Sequence, residues 1–110
     1  MPTAYKLAQV QGTAGVTTYA TLYNTGASST AVLSSITICN TASTSATYRI
    51  GVMTTAGTPG AGQWIVNGAT VPANDTVFLT VGLSLGNTLY VRVSSSANTV
   101  DFSASVAEIT

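Results

Sequence analysis

Apolar and polar residues alternate along most of this chain, the period-two pattern of β-strands buried on one face. The predicted strands are Ala4–Val10, Val16–Tyr23, Ala31–Cys39, Ala46–Met53, Trp64–Val66, Thr76–Leu83, Leu89–Val93 and Thr99–Val106. The inward positions predicted for the sixth and eighth of these are Val77, Leu79, Val81, Leu83, Val100, Phe102, Ala104 and Val106. Thr, Val and Gly are frequent throughout, and no stretch has the pattern of an amphipathic helix.

Turn signals separate these strands. Asn67-Gly68 predicts a hairpin turn, Pro72–Asp75 predicts a second turn, and residues 54–62 (TTAGTPGAG) are the longest turn-rich stretch. Ala31–Cys39 is apolar on much of both faces, which predicts a strand inside a sheet, under a second layer. The pattern predicts an all-β protein, a single antiparallel β-sandwich of about eight strands over residues 1–110. Jelly-roll and immunoglobulin-like connections fit it equally well.

Charge is scarce for a chain of 110 residues with 45% hydrophobic content. Charged residues make up 5%, against about 25% in ordinary domains, and the net charge is zero. They are Lys6, Arg49, Arg92, Asp75, Asp101 and Glu108. Low net charge favours association with another molecule, and the absence of a basic patch argues against a nucleic-acid partner.

Hydroxyl side chains occupy many positions that would face outward. A Ser/Thr face costs less to desolvate than a charged one, so it suits contact with another subunit. The alternative is that these faces bind nothing, because Thr is also favoured in strands for its conformation alone.

The residue inventory argues against catalysis. There is no His, and the lone Cys39 is expected to be a small buried hydrophobe. Asp75, Asp101 and Glu108 are spread too widely to predict a catalytic pair or a metal site, and residues 54–62 lack the Lys of a phosphate-binding loop. We expect no enzymatic activity, no cofactor and no metal.

Three further side chains have more than one interpretation. Trp64 lies in GQWIVNG and either stacks on a sugar or covers one end of the core. Arg49 and Arg92 fall in mid-strand, where they would pair with Asp101 or Glu108, project into a neighbouring subunit, or guard an edge against aggregation.

The beginning of the chain has no signal-peptide pattern, and no apolar run approaches the roughly 20 residues that span a bilayer. The sequence therefore predicts synthesis in the cytoplasm and no membrane partner.

Several sequence stretches together resemble a known group of proteins. They are AYKLAQ, TLYNT, VLSSITICN, ATYRIGV, VPANDTVFLTVGLSLGNTLYV and VDFSASVAEI, which span most of the chain. This order resembles short accessory virion proteins of tailed bacteriophages, cyanophages among them. Some similar proteins are capsid cement or decoration proteins, β-sandwich trimers that sit between major capsid subunits. Others belong to the neck, tail or fibres.

The resemblance implies a non-enzymatic virion protein, made in the host cytoplasm, that forms a homotrimer and binds the major capsid protein or another virion protein. The expected interface residues are Tyr5, Lys6, Arg49 and Arg92, and the expected contact segments are Pro2–Leu7 and the loops at 24–30, 40–46 and 54–62. A tail, neck or fibre component is one alternative function. A carbohydrate-binding adhesion module that uses Trp64 is another.

Overall fold

The structure, a computed structural model, describes residues 3–10, 19–55, 59–60, 62–97 and 99–109. Its strands are β1 (Thr3–Val10), β2 (Ala20–Asn24), β3 (Thr30–Asn40), β4 (Ala46–Met53), β5 (Trp64–Val71), β6 (Thr76–Leu85), β7 (Tyr90–Ser95) and β8 (Val100–Ile109). The predicted all-β fold is confirmed.

The strands form two four-stranded antiparallel sheets. Sheet A has the order β1-β8-β3-β6, and sheet B has the order β2-β7-β4-β5. The pairs β1–β8, β2–β7, β3–β6 and β4–β5 are nested, as if one long hairpin had been rolled up. This is the connectivity of a jelly roll. The immunoglobulin-like alternative does not apply, because consecutive strands β1 and β2 would then share a sheet.

Most of the predicted strands coincide with strands of the structure. The predicted strand Val16–Tyr23 is seen as β2 from Ala20, and positions 16–18 lie outside the described residues. The predicted hairpin turn at Asn67-Gly68 is wrong, since β5 continues through it to Val71. Gly68 has a φ of 84° and lies in a bulge, where β5 has one residue more than β4.

The core lies between the two sheets. The inward residues predicted for β8 (Val100, Phe102, Ala104 and Val106) are all buried. Phe102 packs edge-on against Tyr48 of sheet B, with ring centroids 6.4 Å apart and planes at 68°. The burial of apolar side chains from both sheets is therefore what holds the sandwich together.

β3 reconciles its two apolar faces through a bulge. Leu33 and Ser35 each pair with a residue of β8 and with a residue of β6. Between these two positions β3 has one unpaired residue, Ser34, whereas β8 has none and β6 has two, Val81 and Gly82. The extra residue reverses the alternation along β3, so that Leu33 and Ile36, three positions apart, are both fully buried. The prediction of an interior strand under a second layer is confirmed, because β3 lies between β8 and β6 with sheet B packed against it.

One buried amide organises the turns at one end of the sandwich. Asn40 is 1% exposed, and its Nδ2 donates to the Thr44 carbonyl at 2.8 Å. Its Oδ1 accepts from the Ala42 N–H at 3.1 Å and from the Thr99 hydroxyl at 3.0 Å. The backbone N–H of Asn40 donates to the Asp75 carbonyl at 2.9 Å, so three connections meet at this residue.

Candidate functional site

The outer face of sheet A is almost free of charge. Because Val100, Phe102, Ala104 and Val106 point inward, the alternate residues of β8 and their cross-strand partners point outward. The outward residues include Gln9, Ser35, Thr37, Cys39, Thr76, Thr80, Ser84, Asp101, Ser103 and Ser105. Asp101 is the one charged residue among those of this face that the structure describes. It is half-buried and makes an interaction with another group.

Large apolar side chains collect on the same face. Exposed fractions are 86% for Tyr5, 64% for Leu7, 41% for Val32 and 75% for Phe78. Of the large apolar residues described as exposed, only Ile65 lies in sheet B. Concentration on one face distinguishes these residues from the scattered apolar residues found on any protein surface.

Three strands build the densest part of this surface. Ala107 of β8 is the cross-strand partner of both Tyr5 and Val32, and Leu7 follows two residues along β1 from Tyr5. A shallow groove lies among these side chains, and its lining also includes Lys6, Ser34, Ser105 and Val106. We call Tyr5, Leu7, Val32 and Ala107 the apolar patch.

The other charged residues of sheet A, Lys6 and Glu108, lie on its opposite side. Lys6 lies on the side of the buried Val106, and its Nζ is 2.7 Å from Oε1 of Glu108. Glu108 also accepts a hydrogen bond from the hydroxyl of Tyr23 in β2, which ties sheet B to sheet A. The hydrogen bonds from Lys6 and Tyr23 lower the pKa of Glu108 below its ordinary value. Burial, followed by the bond to Glu108, raises the pKa of Tyr23.

The two arginines lie on the outer face of sheet B. Arg49 Nε donates to Asn67 Oδ1 at 2.9 Å, within that sheet. Arg92 donates from Nη1 to the Thr21 hydroxyl at 2.6 Å and from Nη2 to the Tyr19 carbonyl at 2.7 Å. Asp101 and Glu108, the cross-strand partners considered from the sequence, belong to sheet A.

Trp64 also lies outside the core. It is the cross-strand partner of Gly51, whose neighbour Ile50 points inward, so Trp64 faces outward on sheet B. Its ring centroid is 6.0 Å from that of Tyr19, with the planes at 50°. The prediction that Trp64 covers one end of the core is wrong. A role in stacking on a sugar stays a prediction.

Cys39 likewise differs from the expectation of a buried hydrophobe. Cys39 is half-buried and forms no disulfide. It lies on the outer face of sheet A because the bulge at Ser34 directs Ile36 and Ile38 inward and therefore Cys39 outward. Within the described ranges, no three His, Cys, Asp or Glu residues come together in a way that could hold a metal ion.

Of the predicted contact segment Pro2–Leu7, residues 3–7 belong to strand β1 and Pro2 lies outside the described residues. The predicted contact loops divide between the two ends of the sandwich. The loop at 24–30 and the described part of 54–62 lie at the end where β1 begins, and the loop at 40–46 lies at the opposite end. Of the predicted interface residues, Tyr5 alone belongs to the outer face of sheet A. Leu7 falls within the predicted contact segment Pro2–Leu7, whereas sequence reasoning missed Val32 and Phe78. The sequence did contain a signal for Phe78. It lies between Val77 and Leu79, which were predicted to point inward, so the alternation places Phe78 on the outward side of the strand.

The fold and this face define a small antiparallel β-sandwich with one neutral, partly apolar surface. No protein-family model, curated protein or solved structure matches the chain. In the part of the chain that the structure describes, no helix is long and apolar enough to cross a bilayer.

Proposed function

We propose that this protein is a non-enzymatic structural protein of a virion, a capsid cement or decoration protein that binds the outer surface of a phage head and stabilises the shell. The single observation that carries the proposal is the outer face of sheet A, which is almost free of charge and leaves Tyr5, Leu7 and Phe78 each more than half exposed. The sequence resemblance to accessory virion proteins selects the setting. In this proposal the outer face of sheet A docks on the major capsid protein.

Desolvation favours this face over the outer face of sheet B, which carries Arg49 and Arg92. Complete burial of a large apolar side chain contributes roughly 1.5–3 kcal/mol, and Tyr5, Leu7 and Phe78 retain most of their surface for such burial. Hydroxyl groups can exchange bonds with water for bonds with a partner, whereas an unpaired buried charge costs far more. The ion pair between Lys6 and Glu108 lies on the other side of the sheet, so docking would leave it intact.

Cementing then follows from mass action. A protein that binds the expanded shell more tightly than the unexpanded or broken shell shifts the equilibrium toward the intact particle. Copies joined as a homotrimer would engage several capsid subunits together, so modest contact energies suffice. The proposal requires neither nucleic acid nor membrane.

Rebinding to particles tests this proposal. Virions stripped of the protein are mixed with the wild-type chain, with Leu7→Glu, or with Thr70→Lys, a control on the exposed outer face of sheet B. We expect the wild type and Thr70→Lys to rebind and Leu7→Glu to lose at least tenfold in affinity, about 1.4 kcal/mol. Equal rebinding by Leu7→Glu would overturn docking through the apolar patch.

Copy number separates the cement function from a tail, neck or fibre location. A cement protein should approach the major capsid protein in abundance, and quantitative mass spectrometry of purified virions measures this ratio. A few copies per particle would instead support the tail or neck alternative.

One observation favours carbohydrate binding as a second candidate function. Trp64 and Tyr19 form an aromatic pair on the outer face of sheet B, and the guanidinium of Arg92 donates to the backbone carbonyl of Tyr19. Aromatic rings flanked by hydrogen-bonding groups can stack on a sugar. If the protein is such a module, Trp64→Ala abolishes binding on a glycan array while the thermal transition persists. Wild-type protein that binds no glycan contradicts this function.

A further inference from the structure

The four edge strands of the sandwich differ in how well they are protected. β1 carries Lys6, β2 has five residues and a register shift, and β5 has two register shifts and the Arg49–Asn67 bond beside it. β6 is ten residues long, TVFLTVGLSL, with no charge and no proline. Natural proteins block open edges with charges, prolines, bulges or short strands, because an open edge pairs with other strands. β6 has a bulge at Gly82, but the segment Thr76–Thr80 that precedes it has no charge, no proline and no bulge.

The backbone groups that point to the open side of β6 can be identified. The Asn40 N–H donates to the Asp75 carbonyl, so Asp75 directs its peptide groups toward β3. In an antiparallel strand this direction alternates from residue to residue. The N–H and C=O groups of Thr76, Phe78 and Thr80 therefore point away from β3, to an edge of sheet A with which no described strand pairs; we call this the open edge.

The open segment is symmetric about Phe78. Its sequence, Thr-Val-Phe-Leu-Thr, places a threonine two residues before and two residues after the phenylalanine, with an aliphatic residue between in each case. We infer that two copies of the chain pair antiparallel along this segment, with Phe78 opposite Phe78 and Thr76 opposite Thr80. The backbone groups of Thr76, Phe78 and Thr80 in the two copies would together form about six inter-chain hydrogen bonds.

The side chains favour a second copy as the occupant. On the outer face, Phe78 is 75% exposed and would meet its symmetry mate, and each Thr76 would meet a Thr80, both of which are favourable cross-strand pairs. Asp75 is the nearest charge along the strand, and this register places it opposite Val81. No like charges face each other, whereas the same arrangement of β1 about Lys6 would oppose two lysines.

The contact is small, so the dimer is weak. Five residues of strand span about 17 Å, and a stable interface usually buries about 800 Å² per partner. We expect a dissociation constant of roughly micromolar or weaker. This two-fold pairing does not depend on the proposed docking to a shell, and it adds a contact distinct from any three-fold association.

A charge-swap experiment tests the pairing and its register. Sedimentation equilibrium measures the mass of the wild type, of Phe78→Lys, of Phe78→Glu, and of the two variants mixed in equal amounts. Since Phe78 is largely exposed, neither substitution should prevent folding. Each variant alone places like charges opposite each other and should associate at least ~10-fold more weakly, whereas the mixture should recover association. The pair Thr70→Lys and Thr70→Glu, on β5, is the matched control and should behave as wild type.

Backbone pairing has its own test. Thr80→Pro removes an N–H that points to the open edge and leaves the ladder with β3 intact, so it should weaken association without unfolding the chain. A wild type that is monomeric at all concentrations overturns the inference. So does a mixture of the Lys and Glu variants that associates no better than either alone. Neither result depends on the rebinding of Leu7→Glu to virions.

Discussion

Asn40 gives the sharpest prediction for the stability of the fold. Asn40→Ala removes three side-chain hydrogen bonds of 3.1 Å or less, to Ala42, Thr44 and Thr99. Each bond contributes about 1 kcal/mol net, so the sum is about 3 kcal/mol. The Val71 carbonyl lies 3.5 Å from Nδ2 and is too distant to add a full bond.

The loss should be large relative to the whole. A domain of this kind has a total unfolding free energy of about 5–15 kcal/mol, so the variant should fold but lose a substantial fraction of its stability. In a domain of this length, 3 kcal/mol corresponds to a fall in Tm of about 12 °C or more. Ala42 and Thr44 lie near the surface, where water can hydrogen-bond to the backbone groups that Asn40→Ala leaves without a partner. The loss of unfolding free energy should therefore not exceed about 3 kcal/mol.

Urea unfolding measures the effect, with the fluorescence of the single tryptophan, Trp64, as the probe. Asn67→Ala is the matched control, because Asn67 is exposed and accepts its hydrogen bond from Arg49, which is also exposed. Its substitution should cost less than about 0.5 kcal/mol. An Asn40→Ala loss no larger than the control's would refute the view that this side chain ties the β3–β4 connection to the β7–β8 connection.

Two further substitutions probe contacts elsewhere. A Cβ on Gly51 would lie 2.4 Å from Cγ of Pro59, so Gly51→Ala should lower the free energy of unfolding in urea by about 1–3 kcal/mol. Adding Pro59→Gly should restore much of that free energy, and losses that simply add would contradict the clash. Because Lys6 and Tyr23 lower the pKa of folded Glu108, its carboxylate stabilises the fold above pH 4.5 and loses that contribution as the pH falls through the lowered pKa. Glu108→Gln should therefore flatten the acid side of a plot of Tm against pH, and an unchanged slope would count against this network.

Local patterns predicted most of the strands, because alternation and turn residues are properties of short segments. Asn67-Gly68 shows the limit of such patterns. A glycine with positive φ serves a hairpin turn and a bulge equally well, and pairing with β4 on both sides of Gly68 decides for the bulge. The jelly-roll order could not be predicted for the same reason, since alternation carries no information about which strand lies next to which.

The candidate site was predictable in its chemistry but not in its location. The scarcity of charge and the abundance of Ser and Thr are visible in composition. Which face stays neutral depends on the side to which Lys6 and Glu108 turn, and that is fixed by the burial of Val106 and Ala31 beside them. The bulge at Ser34 likewise determines that Cys39 points outward.

The nested pairing of the strands also shapes the order in which the chain can fold. Among the strands that pair with each other, β4 and β5 are the closest in sequence, with Ala46 opposite Val71, whereas β1 and β8 pair Thr3 with Ile109. Closing so long a loop in the open chain is entropically unfavourable, but each inner pair, once formed, brings the ends of the next pair close together. Folding should therefore proceed outward from β4–β5, over roughly milliseconds to seconds as in other sandwiches of distant contacts. β1 would then join last, which makes the strand that carries Tyr5 and Leu7 the final one to reach its place.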